Sequence, residues 1–183
     1  TSNLTPALGR QIVIAVDQLN VRPGTLRPLM DAASRFLDRL SPLDQVAFIT
    51  YPEPGPRVNF TSDKLRLRLA MQGLIGQGSR LTLGQHNLGD IEALAIYNRR
   101  DQIVLSAVVE RECRRIGLDP QQCQRDIEAQ AADIARQLRE DADQSLRGLQ
   151  DLLQRLAYID GPKSLVLISE GLAIDEPEQV RRV

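Results

Sequence analysis

The chain has 183 residues, about the length of one domain with an elaboration and enough to bury a sizeable core, which excludes a disordered tail or a bare coiled-coil rod. Aromatic residues make up only 3% of it, so Leu, Ile, Val and Ala must build the core, and sites that depend on aromatic stacking, such as those for carbohydrate, single-stranded nucleic acid or quaternary ammonium groups, are disfavoured. Lys plus Arg total 23 against 24 Asp plus Glu, which gives no basic field for nucleic acid, and one His with two Cys cannot by themselves form a zinc centre.

The first element is Gln11-Ile12-Val13-Ile14-Ala15-Val16-Asp17, a β-branched apolar run too short for a helix and closed by an acid. A strand buried on both faces of a parallel sheet has this pattern. Leu29, Ala33, Phe36, Leu37 and Leu40 then recur at helical spacing with charged residues between them, and Ser41-Pro42 stops that helix. Gln45 to Tyr51 and Arg57 to Phe60 read as two further strands. Their connection, Pro52-Glu53-Pro54-Gly55-Pro56, is so short and so dense in Pro and Gly that an antiparallel hairpin is implied. Thr61 or Ser62 is expected to cap the next helix, which carries Leu65 and Leu69.

Gly76 to Gly89 is a polar, Gly-rich loop, and the region after it predicts one or two helices interrupted at Asn98-Arg99-Arg100-Asp101. Gly117-Leu118-Asp119-Pro120 has the Gly, N-cap and first-turn Pro of a corner between two helices. From there to Tyr158 a nearly unbroken helix is expected, with Ile127, Ala131, Ile134, Leu138, Ala142, Ser145, Leu149, Leu152 and Leu156 forming a narrow seam. The first half of that helix, with small seam residues and heavy charge elsewhere, is expected to project from the body. Cys113 and Cys123 flank the corner by one turn on either side, where a disulfide is geometrically reasonable; two reduced cysteines in the seam are the alternative. A bond there would favour an oxidising, extracytoplasmic compartment. Gly161-Pro162 ends the helix, and Ser164 to Ser169 is a fourth strand, again followed by an acid, Glu170. No apolar run approaches the ~18 residues of a membrane span.

Val13 to Asn20, Phe36 to Leu40, Asp44 to Ile49, Asn87 to Asp90 and Leu165 to Gly171, taken in this order, resemble a von Willebrand factor type A domain, most closely its bacterial, exported members. The likeness covers residues 11 to 96 and 160 to 176. It implies a Rossmann-like open α/β sheet, mostly parallel with one antiparallel edge strand, and makes residues 97–158 a long helical-hairpin insertion within a single partial domain spanning 1–183. It also implies a metal-ion-dependent adhesion site at the strand ends, holding Mg²⁺ or Ca²⁺ by oxygens and leaving a position open for a partner's carboxylate.

This sequence has a degenerate version of that site. Asp17 matches the leading acid, but Leu19 and Val21 stand where two serines are expected and carry no oxygen; Glu170 replaces an Asp. Asn20 lies between the two apolar positions, and Ser79, Thr82, His86 or Asn87 could supply the later-loop ligand, which makes Asp17, Asn20, Thr82 and Glu170 the candidate metal set. The plainer reading, and the preferred one, has Asp17 and Glu170 capping neighbouring helices or loop amides. No catalytic residues are identified, because no acid pair has orienting groups, and His86 has no nucleophile beside it. The glycines match neither a dinucleotide nor a phosphate loop.

The expected function is therefore that of a non-enzymatic protein-interaction or adhesion module without a required cofactor. It would use the sheet's C-terminal edge, with Leu19, His86 and Asn87, or the inserted hairpin. A divalent-metal-dependent ligand-binding domain is the alternative. The partner would be another protein, or a second copy through the hairpin or an open sheet edge, and not nucleic acid. Removing these inserted residues, far more than an ordinary connection, leaves four of the family's expected strands. Truncation at the C-terminal end is thus expected, with the outer edge of the fourth strand exposed, covered by the last helix, or paired with another chain.

Overall fold

A computed structural model of the chain describes residues 9–78, 86–116 and 119–172. In chain order these form β1 (Gln11–Asp17), a 3-10 turn (Gln18–Asn20), α1 (Pro23–Asp38), β2 (Gln45–Tyr51), β3 (Arg57–Thr61), α2 (Lys64–Gln72), α3 (Asp90–Tyr97), α4 (Gln102–Ile116), α5 (Pro120–Ala157) and β4 (Lys163–Ile168). The protein is α/β. One four-stranded sheet has the order β3-β2-β1-β4, with β1 parallel to β2 and β4, and β3 antiparallel to β2. Two compact units divide the chain, the first from the described residues of Thr1–Ser79 and Gln144–Leu172, the second from those of Arg80–Asp143.

In the first unit the strand alternation sends Ile12, Ile14, Val16, Val46 and Phe48 to one face, against Leu26, Met30 and Leu37 of α1 and Leu67 and Met71 of α2. Val13, Ala15, Ala47, Ile49 and Tyr51 face the other way and meet Leu152 and Leu156 of α5. β1 is thus covered on both faces, as its unbroken apolar run predicts, and each fully buried aliphatic side chain contributes about 1.5–3 kcal/mol.

The β1–β2 register is fixed at its start. The Asp44 carboxylate accepts the Ser41 and Arg10 amides, each at 2.9 Å, and the Arg10 guanidinium, with Nη2–Oδ2 at 2.7 Å. The Gln45 amide then bonds the Arg10 carbonyl at 2.8 Å, which aligns Gln11 with Gln45. Pro23 opens α1 at a position where the missing amide costs nothing. The cap of α2 differs from expectation. It is Asp63, whose Oδ1 accepts the Leu65 amide at 3.0 Å and the Arg66 amide at 3.1 Å, while the Thr61 hydroxyl only braces the Asp63 amide. A carboxylate there satisfies two free amides and complements the helix dipole.

β4 lies at the edge of the sheet with β1 as its one strand neighbour among the described residues, and Leu165, Val166 and Leu167 are exposed.

In the second unit the interrupted region resolves into two helices. Arg100 takes a left-handed conformation, φ 54°, which ends the α3 segment, and Asp101 caps α4 by accepting the Ile103 and Val104 amides at 3.0 and 3.1 Å. The core is small: Leu88, Ala93, Ile96, Leu105, Val108, Ile127 and Ala131 with the two cysteines. Cys113 and Cys123 are disulfide-bonded, with Cα atoms 5.9 Å apart, and link α4 to the first turn of α5. No helix among the described residues is long and apolar enough to cross a membrane.

Candidate functional site

The parallel pairing of β1 with β4 sets Val16 beside Ile168, so Asp17 and Ser169 follow at the same carboxyl edge of the sheet. Asp17 is 1% exposed. Its Oδ1 accepts the Ser145 hydroxyl at 2.8 Å, and its Oδ2 accepts the Asn20 side-chain amide at 2.8 Å and the Ser169 hydroxyl at 3.3 Å. The same Asn20 nitrogen donates to Ser145 Oγ at 2.8 Å, which closes a ring of three side chains. A carboxylate buried without partners would cost several kcal/mol; donors that converge on both oxygens offset this. Burial, and then the negative charge of Asp17, raise the neighbouring Tyr51 phenol well above its ordinary value.

Gln18 extends the tie sideways. It is buried, and its Nε2 donates to the carbonyls of Pro52 at 2.6 Å and Pro54 at 2.8 Å, which fastens the end of β1 to the β2–β3 connection.

Glu170 belongs to a different cluster. Its carboxylate accepts the Arg22 amide at 2.8 Å and Arg22 Nε at 2.5 Å, and bonds the Thr25 hydroxyl. Its own amide reaches the Asn20 carbonyl at 3.0 Å. Glu170 therefore fastens the end of β4 to the start of α1, where a negative charge also suits the helix dipole. Burial works against its ionisation, yet the hydrogen bonds from Thr25 and Arg22 hold it below the usual carboxylate range.

Of the residues singled out in the sequence, Asp17 and Asn20 are brought together, and Glu170 is engaged at α1. Thr82 and Ser79 lie outside the described residues. Leu19 is half-buried in the first unit. His86 and Asn87 belong to the second unit. The His86 side chain is 2% exposed, with neither ring nitrogen hydrogen-bonded, and its backbone is clamped by Gln130, whose Nε2 donates to the His86 carbonyl at 3.0 Å. Asn87 is exposed, whereas that ring is buried. Asn87 is itself fixed, its amide to Glu112 at 3.1 Å and its carbonyl to Arg111 at 2.9 Å. Arg111 also pairs with Glu92 at 2.7 Å, and this bond holds the Glu92 carboxyl below its usual range.

Two partners of Asp17 were missed, Ser145 and Ser169. Ser145 did carry a signal, as the one hydroxyl in an otherwise apolar seam, and it is 2% exposed.

These residues fit a divalent cation poorly. Both oxygens of Asp17 already accept hydrogen bonds, Glu170 is engaged elsewhere, and Leu19 and Val21 offer no side-chain oxygen. No group of three or more His, Cys, Asp or Glu able to hold a metal occurs among the described residues. Mg²⁺ in particular tolerates little departure from octahedral oxygen geometry.

A groove of about 340 Å³ runs between the β2–β3 connection and α5, within the first unit. Comparison of the chain with protein-family models, curated proteins and solved structures found no match.

Proposed function

We propose that this chain is a protein-interaction module on the von Willebrand factor A plan, which presents the carboxyl edge of its sheet to a protein partner and performs no catalysis. The observation that carries this reading is the state of Asp17. Its two oxygens are taken up by Asn20, Ser145 and Ser169, so the acid serves to hold β1, β4 and α5 in one rigid crest. Glu170 does the same between β4 and α1. A crest whose polar groups are engaged internally has fixed shape and no reacting pair, which suits recognition better than acid-base work. The strand order β3-β2-β1-β4, parallel but for β3, supports the family resemblance, and the disulfide fits a module that works outside the cytoplasm.

The metal-dependent alternative has one observation in its favour: Asp17 is buried with no cationic side chain beside it among the described residues. The ligand set weighs against it, because both Asp17 oxygens are engaged and Glu170 is held at α1.

Affinity capture with the full chain tests the leading reading. The half-buried Leu19 is replaced by Asp, and Arg125, which is exposed and bonded to Gln122, is replaced by Ala as a control. A partner retained by wild type and Arg125→Ala and lost with Leu19→Asp, at unchanged circular dichroism, is the expected result. Equal capture by all three chains would remove the crest as the contact surface.

A further inference from the structure

The groove beside the β2–β3 connection has a chemical character that the protein-interaction reading does not use. Its floor is set by Gly148: a Cβ there would lie 3.0 Å from Pro52 Cα and 3.3 Å from Tyr51 Cδ2, so α5 approaches the connection at a residue without a side chain. Arg147, Asp151 and Arg155 of α5 line one side, Glu53 and Arg57 the other. Arg155 Nη1 meets Glu53 Oε1 at 2.5 Å, and Arg57 Nη1 lies 3.5 Å from the same oxygen. Two guanidinium groups thus converge on one carboxylate oxygen, and each uses a single nitrogen. Each carries five N–H donors in a planar fork suited to oxyanions, so most of these donors remain available. Arg147 stands two turns before Arg155 on the same helix and has no ion-pair partner among the described residues. Three cations face two carboxylates here, so one positive charge is left over.

Stability gives no reason for this convergence. The side chains of Glu53, Arg57 and Arg155 are about half exposed, and exposed ion pairs contribute little. We infer that the groove is an oxyanion-binding site, in which Arg57, Arg147 and Arg155 take a carboxylate or phosphate group and Glu53 holds two of them in a convergent arrangement while no ligand is bound. The ligand is a small anion or an anionic group on a larger molecule. The inference stands independently of the protein-interaction reading, because the free chain is expected to bind the anion alone.

Calorimetric titration of the full chain with inorganic phosphate, and separately with succinate, at low ionic strength tests it. One saturable site for at least one of the two anions is expected, weakened by added salt. Arg155→Ala and Arg147→Ala should each lower the affinity roughly tenfold, the loss expected for one charge-assisted contact. Arg125→Ala should leave it unchanged. Glu53→Gln should tighten binding, because it removes the internal competitor. Phosphate binding without succinate binding assigns a phosphoryl ligand, the reverse a carboxylate. Absence of saturable heat in both wild type and Glu53→Gln, or equal affinity in wild type and Arg155→Ala, would overturn the proposal.

Discussion

The two units of this chain solve the stability problem differently. The first buries both faces of a sheet under helices and fills them with large side chains, Phe48, Ile14, Leu37, Leu67 and Met71 among them. The second has a thin core in which Ala93, Ala131 and the cysteines occupy central positions, and it adds a covalent bond and side-chain clamps onto loop backbone. A small core rarely suffices alone, and crosslinks are the usual supplement. The contrast predicts that loss of the disulfide loosens the helices of the second unit and leaves the sheet of the first unchanged.

The largest expected effect tests the first half of that contrast. Phe48→Ala removes a fully buried ring from the sheet and should cost about 3–5 kcal/mol in chemical denaturation. A cost below about 1 kcal/mol, the level typical of a surface site, would mean that the sheet core is not what holds the first unit. Next comes the crosslink. The double variant Cys113→Ser with Cys123→Ser opens a loop of sequence separation 10 and should cost on the order of 3 kcal/mol. Its hydrogen exchange should rise in α4 and the first turns of α5 and stay unchanged in β1 and β2. Equal acceleration in β1 would break the distinction between the units.

Smaller effects probe the ties. Ser145→Ala leaves Asp17 Oδ1 without its hydroxyl donor and should cost about 1–3 kcal/mol, the penalty for an unsatisfied buried acceptor. No measurable change in denaturation midpoint would show that the ring around Asp17 contributes nothing to the crest. The smallest effect is acid dependence. The side-chain hydrogen bond from Arg10 holds Asp44 well below the usual carboxylate range, and Glu92 is held below it by Arg111. A depressed folded pKa contributes stability that is present above the unfolded value of about 4 and is lost as pH falls through the folded value. Thermal denaturation from pH 7 to 3 should therefore show a falling midpoint below about pH 4, less steep in Arg10→Ala. A midpoint that rises on acidification would contradict this sign.

Much of the sheet was legible in the sequence because its signals are local. β1 shows as an apolar run, the β2–β3 connection as a dense Pro and Gly cluster, and the end of α5 as Gly161-Pro162. The disulfide was one of two open readings, since spacing beside a corner permits a bond without requiring it. The cap of α2 was misplaced from Asp63 to Thr61 or Ser62, because three adjacent residues could each accept amides and only the backbone path decides among them. The ring around Asp17 was half visible. Asn20 is three residues away, whereas Ser145 and Ser169 come from 128 and 152 residues along the chain. Periodicity placed Ser145 in the seam of α5 but could not say which strand end that seam would meet. The oxyanion groove was invisible for the same reason, since its arginines lie on β3 and on two turns of α5.

The central claim is that Asp17 is a structural tie whose oxygens are occupied from within the chain. Calorimetric titration of the full chain with Mg²⁺, Ca²⁺ and Mn²⁺ to millimolar concentration tests it most directly. No saturable heat and no shift in melting temperature are expected for any of the three ions. A one-to-one heat that disappears in Asp17→Asn would contradict the claim and make the crest a metal site.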